Sequence, residues 1–162
     1  SIVFELVQKL GLKAVNQFTP AGLTLKRTDH WPDYNHAYQS MRHNALFRHF
    51  DEACFQDFLE CGLKEDTIRG GLTLTVPKAL EAEIFRTVPA WWWRTPRKAP
   101  NVPVHLISAE QSPFYKQGFP QAMQKTYQID YSLMQGGHMF PLEQPDKTAA
   151  LVKKIIAAQK QD

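Results

Sequence analysis

The sequence predicts a mixed α/β chain on three observations: a strand, helix, strand, helix order after Val102, mostly helical spacing before Pro96, and a Gly136-Gly137-His138 turn between the last strand and last helix. Strands joined through a helix run parallel, so the C-terminal part is expected to form a parallel layer.

In chain order, Ile2, Leu6 and Leu10, with Val3 and Phe4, recur at helical intervals and predict an amphipathic helix ending near Gly11. A less regular stretch follows to Arg27, broken by Thr19-Pro20-Ala21-Gly22. Asp33 or Asn35 is placed to cap a helix through Ala37, Met41 and Ala45, and Asp51 opens another carrying Phe55, Phe58 and Leu59, with Gly62 at its end. The aromatic and histidine-rich run from His30 to Phe50 lacks the tight histidine spacing and the cysteines or acids of a ligand set. Aromatic packing with polar tips is expected there, and no metal or other cofactor. Cys54 and Cys61 lie seven positions apart on the second predicted helix. Two turns separate them by about 10 Å, too far for a disulfide, so both are expected as reduced core thiols.

Gly70 to Pro77 alternates as a strand but stands isolated between helices, and Lys78 to Val88 returns to helix through Leu80, Ile84 and Phe85. Three consecutive indoles, Trp91 to Trp93, cannot all face one core, which places at least one at a surface, groove or pocket. Proline and charge after them mark a linker. Val102 to Ile107 is a near-continuous apolar run suited to a buried parallel strand. A helix is expected over Phe114 to Thr126, against the grain of Gly118 and Pro120, and a strand over Gln128 to Met134. The last helix begins at Pro145 and carries Leu151, Val152, Ile155 and Ile156. Two strands leave the sheet incomplete, to be finished by further sequence or a partner chain.

At 162 residues with a net charge of +3, the chain suits one domain, or a smaller domain with a lid, and the spread of its lysines and arginines does not indicate a nucleic-acid surface. No apolar run approaches the roughly 20 residues that span a bilayer. A cytoplasmic protein without membrane partners is expected.

The stretch from Val102 onward resembles the C-terminal part of the α/β-hydrolase fold family. VPVHLISAEQSPF is similar to that family's penultimate core strand and its exit, GGHMFPLEQP to the turn after the last strand, and KTAALVKKII to the closing helix. Ahead of it, GGLTLTVPKALEAEIF is similar to the closing segment of the lid in C–C bond hydrolase and epoxide hydrolase-like members. The resemblance implies the C-terminal portion of an α/β-hydrolase fold, with residues 1–96 as a mostly helical lid, residues 97–162 as part of the core, and an incomplete parallel sheet.

It also implies that His138 is the catalytic base, a role suited to an imidazole that titrates near neutral pH on a tight glycine turn. The sequence departs from the family in two places. No G-x-S-x-G surrounds Ser1, Ser40, Ser108, Ser112 or Ser132, so the nucleophile is expected upstream, in a missing N-terminal half of the same fold. The family's usual acid position aligns with Ser112, which is no carboxylate. The acid then either follows an earlier strand, also upstream, or is Glu110, whose other reading is a solvent-exposed loop acid. Trp31, Trp92, Phe114, Met139 and Phe140 are candidate substrate contacts that favour a small-molecule substrate with an apolar acyl or aromatic group.

Three functions follow as expectations. The first is hydrolysis of a carboxylic ester, thioester or related bond by a nucleophile, His138 and an acid. The second is an epoxide hydrolase or dehalogenase with an aspartate nucleophile, where the same histidine activates water. The third is a non-catalytic interaction module or inactive homologue.

Overall fold

The computed structural model describes residues 15–17, 19–87 and 99–159, and groups the chain into two compact units. The predicted helix ending near Gly11 and the indoles of Trp91 to Trp93 lie outside the described residues. One unit is Ser1–Arg42 with Asp57–Thr95, and the other is His43–Gln56 with Pro96–Asp162. Residues 43–56, inside the span expected as lid, therefore group with the C-terminal unit. The backbone reason is a hydrogen bond of 2.8 Å from the Asp51 N–H to the Leu142 carbonyl.

The first unit contains helices α1 (Ala21–Lys26) and α2 (Tyr34–Arg42), strand β1 (His30–Trp31), and all but the first turns of helix α3 (Glu52–Gly62). Strands β2 (Leu63–Glu65) and β3 (Leu72–Leu74) and helix α4 (Lys78–Arg86) follow in the same unit. Asp33 caps α2 by accepting the His36 N–H at 2.9 Å, and Asp51 caps α3 by accepting the Ala53 N–H at 3.0 Å. The β-like Gly70 to Pro77 segment is not isolated: β3 is the central strand of an antiparallel sheet, paired with β1 and β2. Its partners, of two and three residues, are too short to show a periodicity of their own. Phe55 and Leu59 take the fully buried face of α3. The cysteines fall beside that stripe, so Cys54 is half-buried and Cys61, expected in the core, is exposed. Two polar tips in the aromatic run find acceptors, His30 Nε2 at 2.7 Å from the Gly70 carbonyl and His36 Nδ1 at 2.9 Å from Asp33.

The second unit contains strands β4 (His105–Ala109) and β5 (Asp130–Met134), paired in parallel with His105 opposite Asp130 and Ala109 opposite Met134. Between them run α5 (Pro113–Lys116) and α6 (Phe119–Tyr127), and after them α7 (Phe140–Glu143) and α8 (Pro145–Gln159). The single helix expected over Phe114 to Thr126 is thus two helices. The break falls at Gly118, with Pro120 in the first turn of the second. Among the described residues β5 is the only partner of β4, and the strand is buried only at Ser108 and Ala109. Val102 and Val104 ahead of it are exposed, as are Leu133 on β5 and Val152 and Ile156 on α8. No described helix is long and apolar enough to cross a membrane.

Candidate active site

The C-terminal ends of parallel strands lie at one edge of a sheet, so the loops that leave them emerge side by side. Here the two exits are tied together: the Glu110 N–H donates to the Met134 carbonyl at 3.0 Å and the Gln111 N–H to the Gly136 carbonyl at 3.1 Å. This brings residue 112 to residue 138. Ser112 Oγ lies 3.1 Å from His138 Nδ1.

Each partner is fixed by its own loop. Ser112 is the N-cap of α5, its Oγ accepting the Phe114 N–H at 3.3 Å, and it is only 2% exposed. His138 follows Gly136, whose φ of 127° is open to glycine and costly for any side chain. The Gly137 N–H donates to Glu143 Oε2 at 2.8 Å, and Gln144 Nε2 donates to the Gln135 carbonyl at 2.6 Å. The short helix after the turn thus reaches back and clamps it on both sides of the glycines. Sequence reasoning does not single out Glu143 and Gln144. The signal was present, because a two-glycine turn exposes N–H groups that need an acceptor, and the first acidic side chain after it is Glu143.

His138 is exposed, and the Phe114 ring lies 4.9 Å from its imidazole at a tilt of 50°. Both line a cavity of about 300 Å³ with Ser112, Leu106, Phe119 and Phe140. That volume is at the lower end of the range for small-molecule sites. Among the described residues, Nε2 of His138 has no hydrogen-bond partner. A histidine held through Nδ1 with Nε2 unengaged can take up a proton and return it.

Of the sequence candidates, the structure brings together His138, Phe114 and Phe140. Met139 is half-buried at the start of α7 and does not line the cavity. Glu110 is exposed on the β4 exit loop, also off the cavity wall, and the atom on His138 Nδ1 belongs to Ser112. Trp31 lies in the other unit, 5% exposed on β1, and among the described residues its indole N–H has no partner. Trp92 is outside the described residues. No group of three or more histidine, cysteine, aspartate or glutamate side chains gathers as metal ligands among the described residues.

No family model matches the chain, and comparison with curated protein sequences gives no match. Among solved structures the fold is similar to the crystal structure of E-2-(acetamidomethylene)succinate hydrolase, with a TM-score of 0.65 at 13% sequence identity. That likeness covers 90% of this chain but 53% of the other, so the chain spans about half the length of the hydrolase it resembles. With its strand, helix, strand, helix order and small parallel sheet, the chain carries part of an α/β-hydrolase fold.

Proposed function

We propose that this chain supplies the histidine half of a hydrolase that cleaves a carboxylic ester, thioester or related bond. His138 is the general base, and the nucleophile comes from sequence outside the chain. The observation that carries this reading is the placement of His138: on a clamped glycine turn at the C-terminal edge of a parallel sheet, held through Nδ1 and lining an apolar cavity. In such a site the imidazole takes the nucleophile's proton as it attacks the carbonyl carbon. It then gives that proton to the leaving group as the tetrahedral intermediate collapses. The phenylalanines of the cavity suit an apolar acyl or aromatic group.

The test is hydrolysis of short p-nitrophenyl esters by the intact protein. His138→Ala is expected to lower kcat by at least ~10³-fold. Equal rates for the variant and the parent would overturn the assignment. The 162-residue chain alone is expected to show no turnover. One observation favours the inactive-homologue reading: the partner of His138 is a hydroxyl, which cannot balance an imidazolium as a carboxylate does. Absence of turnover in the intact protein across esters, thioesters and epoxides would decide for it.

A further inference from the structure

Resting on the reading of His138 as base, we infer that Ser112 is its positioning residue, and that the Ser112 hydroxyl lets the imidazole exchange between two neutral tautomers where a carboxylate would hold one. Ser112 is no casual neighbour. It is 2% exposed, its Oγ is tied to the Phe114 N–H at 3.3 Å, and the same atom stands 3.1 Å from Nδ1.

A hydroxyl oxygen has one proton and two lone pairs, so it can accept from Nδ1–H or donate to a bare Nδ1. In the first state Nε2 keeps its lone pair and is a competent base. In the second the ring proton sits on Nε2 and the base is blocked. An ionised carboxylate only accepts, so it enforces the first state. Once the ring is protonated, a hydroxyl also holds it less strongly than a carboxylate would. The titratable groups on the neighbouring segments are Glu110 on the β4 exit loop, Tyr115 and Lys116 on α5, and Glu143 on α7. Among the described residues none of them hydrogen-bonds the imidazole, and Glu143 is engaged by the Gly137 N–H. Aspartate at position 112 would serve both duties of the serine, since it is a good N-cap and offers oxygen to Nδ1–H.

The experiment uses the intact protein, p-nitrophenyl acetate as probe, and ¹⁵N-edited NMR of the His138 ring. The wild type is expected to show ring-nitrogen shifts averaged between tautomers. Ser112→Asp is expected to show the Nδ1–H form and to raise kcat ~10-fold. Its acid limb should move up by about one pH unit, because a carboxylate favours the imidazolium and neutral base then survives only at higher pH. Ser112→Ala should lower kcat ~3- to 10-fold with KM unchanged. Ser112→Thr, which keeps the hydroxyl, should stay near wild type, which separates this role from a loss of folding. A wild-type ring already in the pure Nδ1–H form, or a Ser112→Ala variant with unaltered kcat and ring shifts, would overturn the inference, since another acid would then hold the histidine. Loss of turnover in both Ser112→Ala and Ser112→Asp would overturn it too, by making Ser112 the nucleophile. Failure of the base reading is distinct: His138→Ala would keep the parent rate whatever the NMR shows.

Discussion

The two units solve the problem of pairing strands in opposite ways. In the first, β3 is flanked antiparallel by β1 and β2, so each strand's exit lies beside its neighbour's entry. The loop between β2 and β3 is used up in closing a hairpin, with the Asp66 N–H on the Gly71 carbonyl at 3.0 Å. In the second, β4 and β5 run parallel, and both exits reach the same edge. That arrangement lets Ser112 and His138 meet although 26 positions separate them. Antiparallel pairing sends the exits of neighbouring strands to opposite edges, whereas parallel pairing gathers them at one edge and makes a place where two loops can share chemistry.

This contrast predicts that the histidine unit depends on a hydrophobic cluster of its own. Phe55 is fully buried, with the Phe47 ring 5.8 Å away, and Phe47 in turn stands edge-on to Phe50 at 5.4 Å. All three lie in the segment whose Asp51 backbone bonds to α7. Phe55→Ala is expected to cost about 3–5 kcal/mol. In hydrogen exchange, protection should fall in β4, β5 and α7 before it falls in β1 to β3. Equal loss in both units would break the comparison.

The hairpin of the first unit offers a second test, because Gly70 and Gly71 share a φ of 73° but differ in surroundings. A Cβ on Gly71 would run into the Trp31 and Pro32 carbonyl oxygens, whereas one on Gly70 meets nothing within 4 Å. Gly71→Ala should therefore cost about 2–3 kcal/mol in denaturant unfolding, combining left-handed strain with a backbone shift. Gly70→Ala should cost about 1 kcal/mol, from strain alone. Similar values would mean that the hairpin moves freely away from β1.

In the second unit the matching device is the clamp on the histidine turn. Glu143→Ala frees the Gly137 N–H and is expected to lower kcat ~10-fold with little change in KM, by loosening the loop that carries His138. Glu143→Gln keeps an acceptor oxygen and should recover most of the rate.

What could be read from the sequence follows the same division. The Asp33 and Asp51 caps and the strand ending at Met134 rest on local chemistry within a few residues, and each is found where its side chains place it. The glycine turn carries its signal in Gly136 and Gly137, and the structure adds the clamp. By contrast, β1 and β2 are too short to advertise themselves, and residues 43–56 join the second unit through a bond to Leu142, far along the chain. The contact of Ser112 with His138 lay between the two cases: alignment brings attention to position 112, but only the tied exits bring its oxygen to Nδ1.

The smallest expected effect concerns acid. Asp66 holds the hairpin loop: Oδ1 accepts the Arg69 N–H at 3.0 Å and the Ile68 N–H at 3.1 Å, while Oδ2 takes Arg69 Nε at 2.6 Å. The bond from the Arg69 backbone, followed by that from its side chain, lowers the carboxyl below its ordinary value of 3.8. The folded state therefore binds its proton less readily than the unfolded chain. The contribution is complete above pH 3.8 and is lost as pH falls through the lower folded value. Asp66→Asn keeps an oxygen for the two backbone N–H groups but removes the charge and the proton linkage. Its melting temperature should accordingly fall less steeply than the parent's as pH drops below about 4. Hydrogen exchange should place that difference in β2 and β3, leaving β4 and β5 alike in both proteins. A parent and variant with the same acid slope would show that the Asp66 carboxylate does not set the acid response of the antiparallel unit.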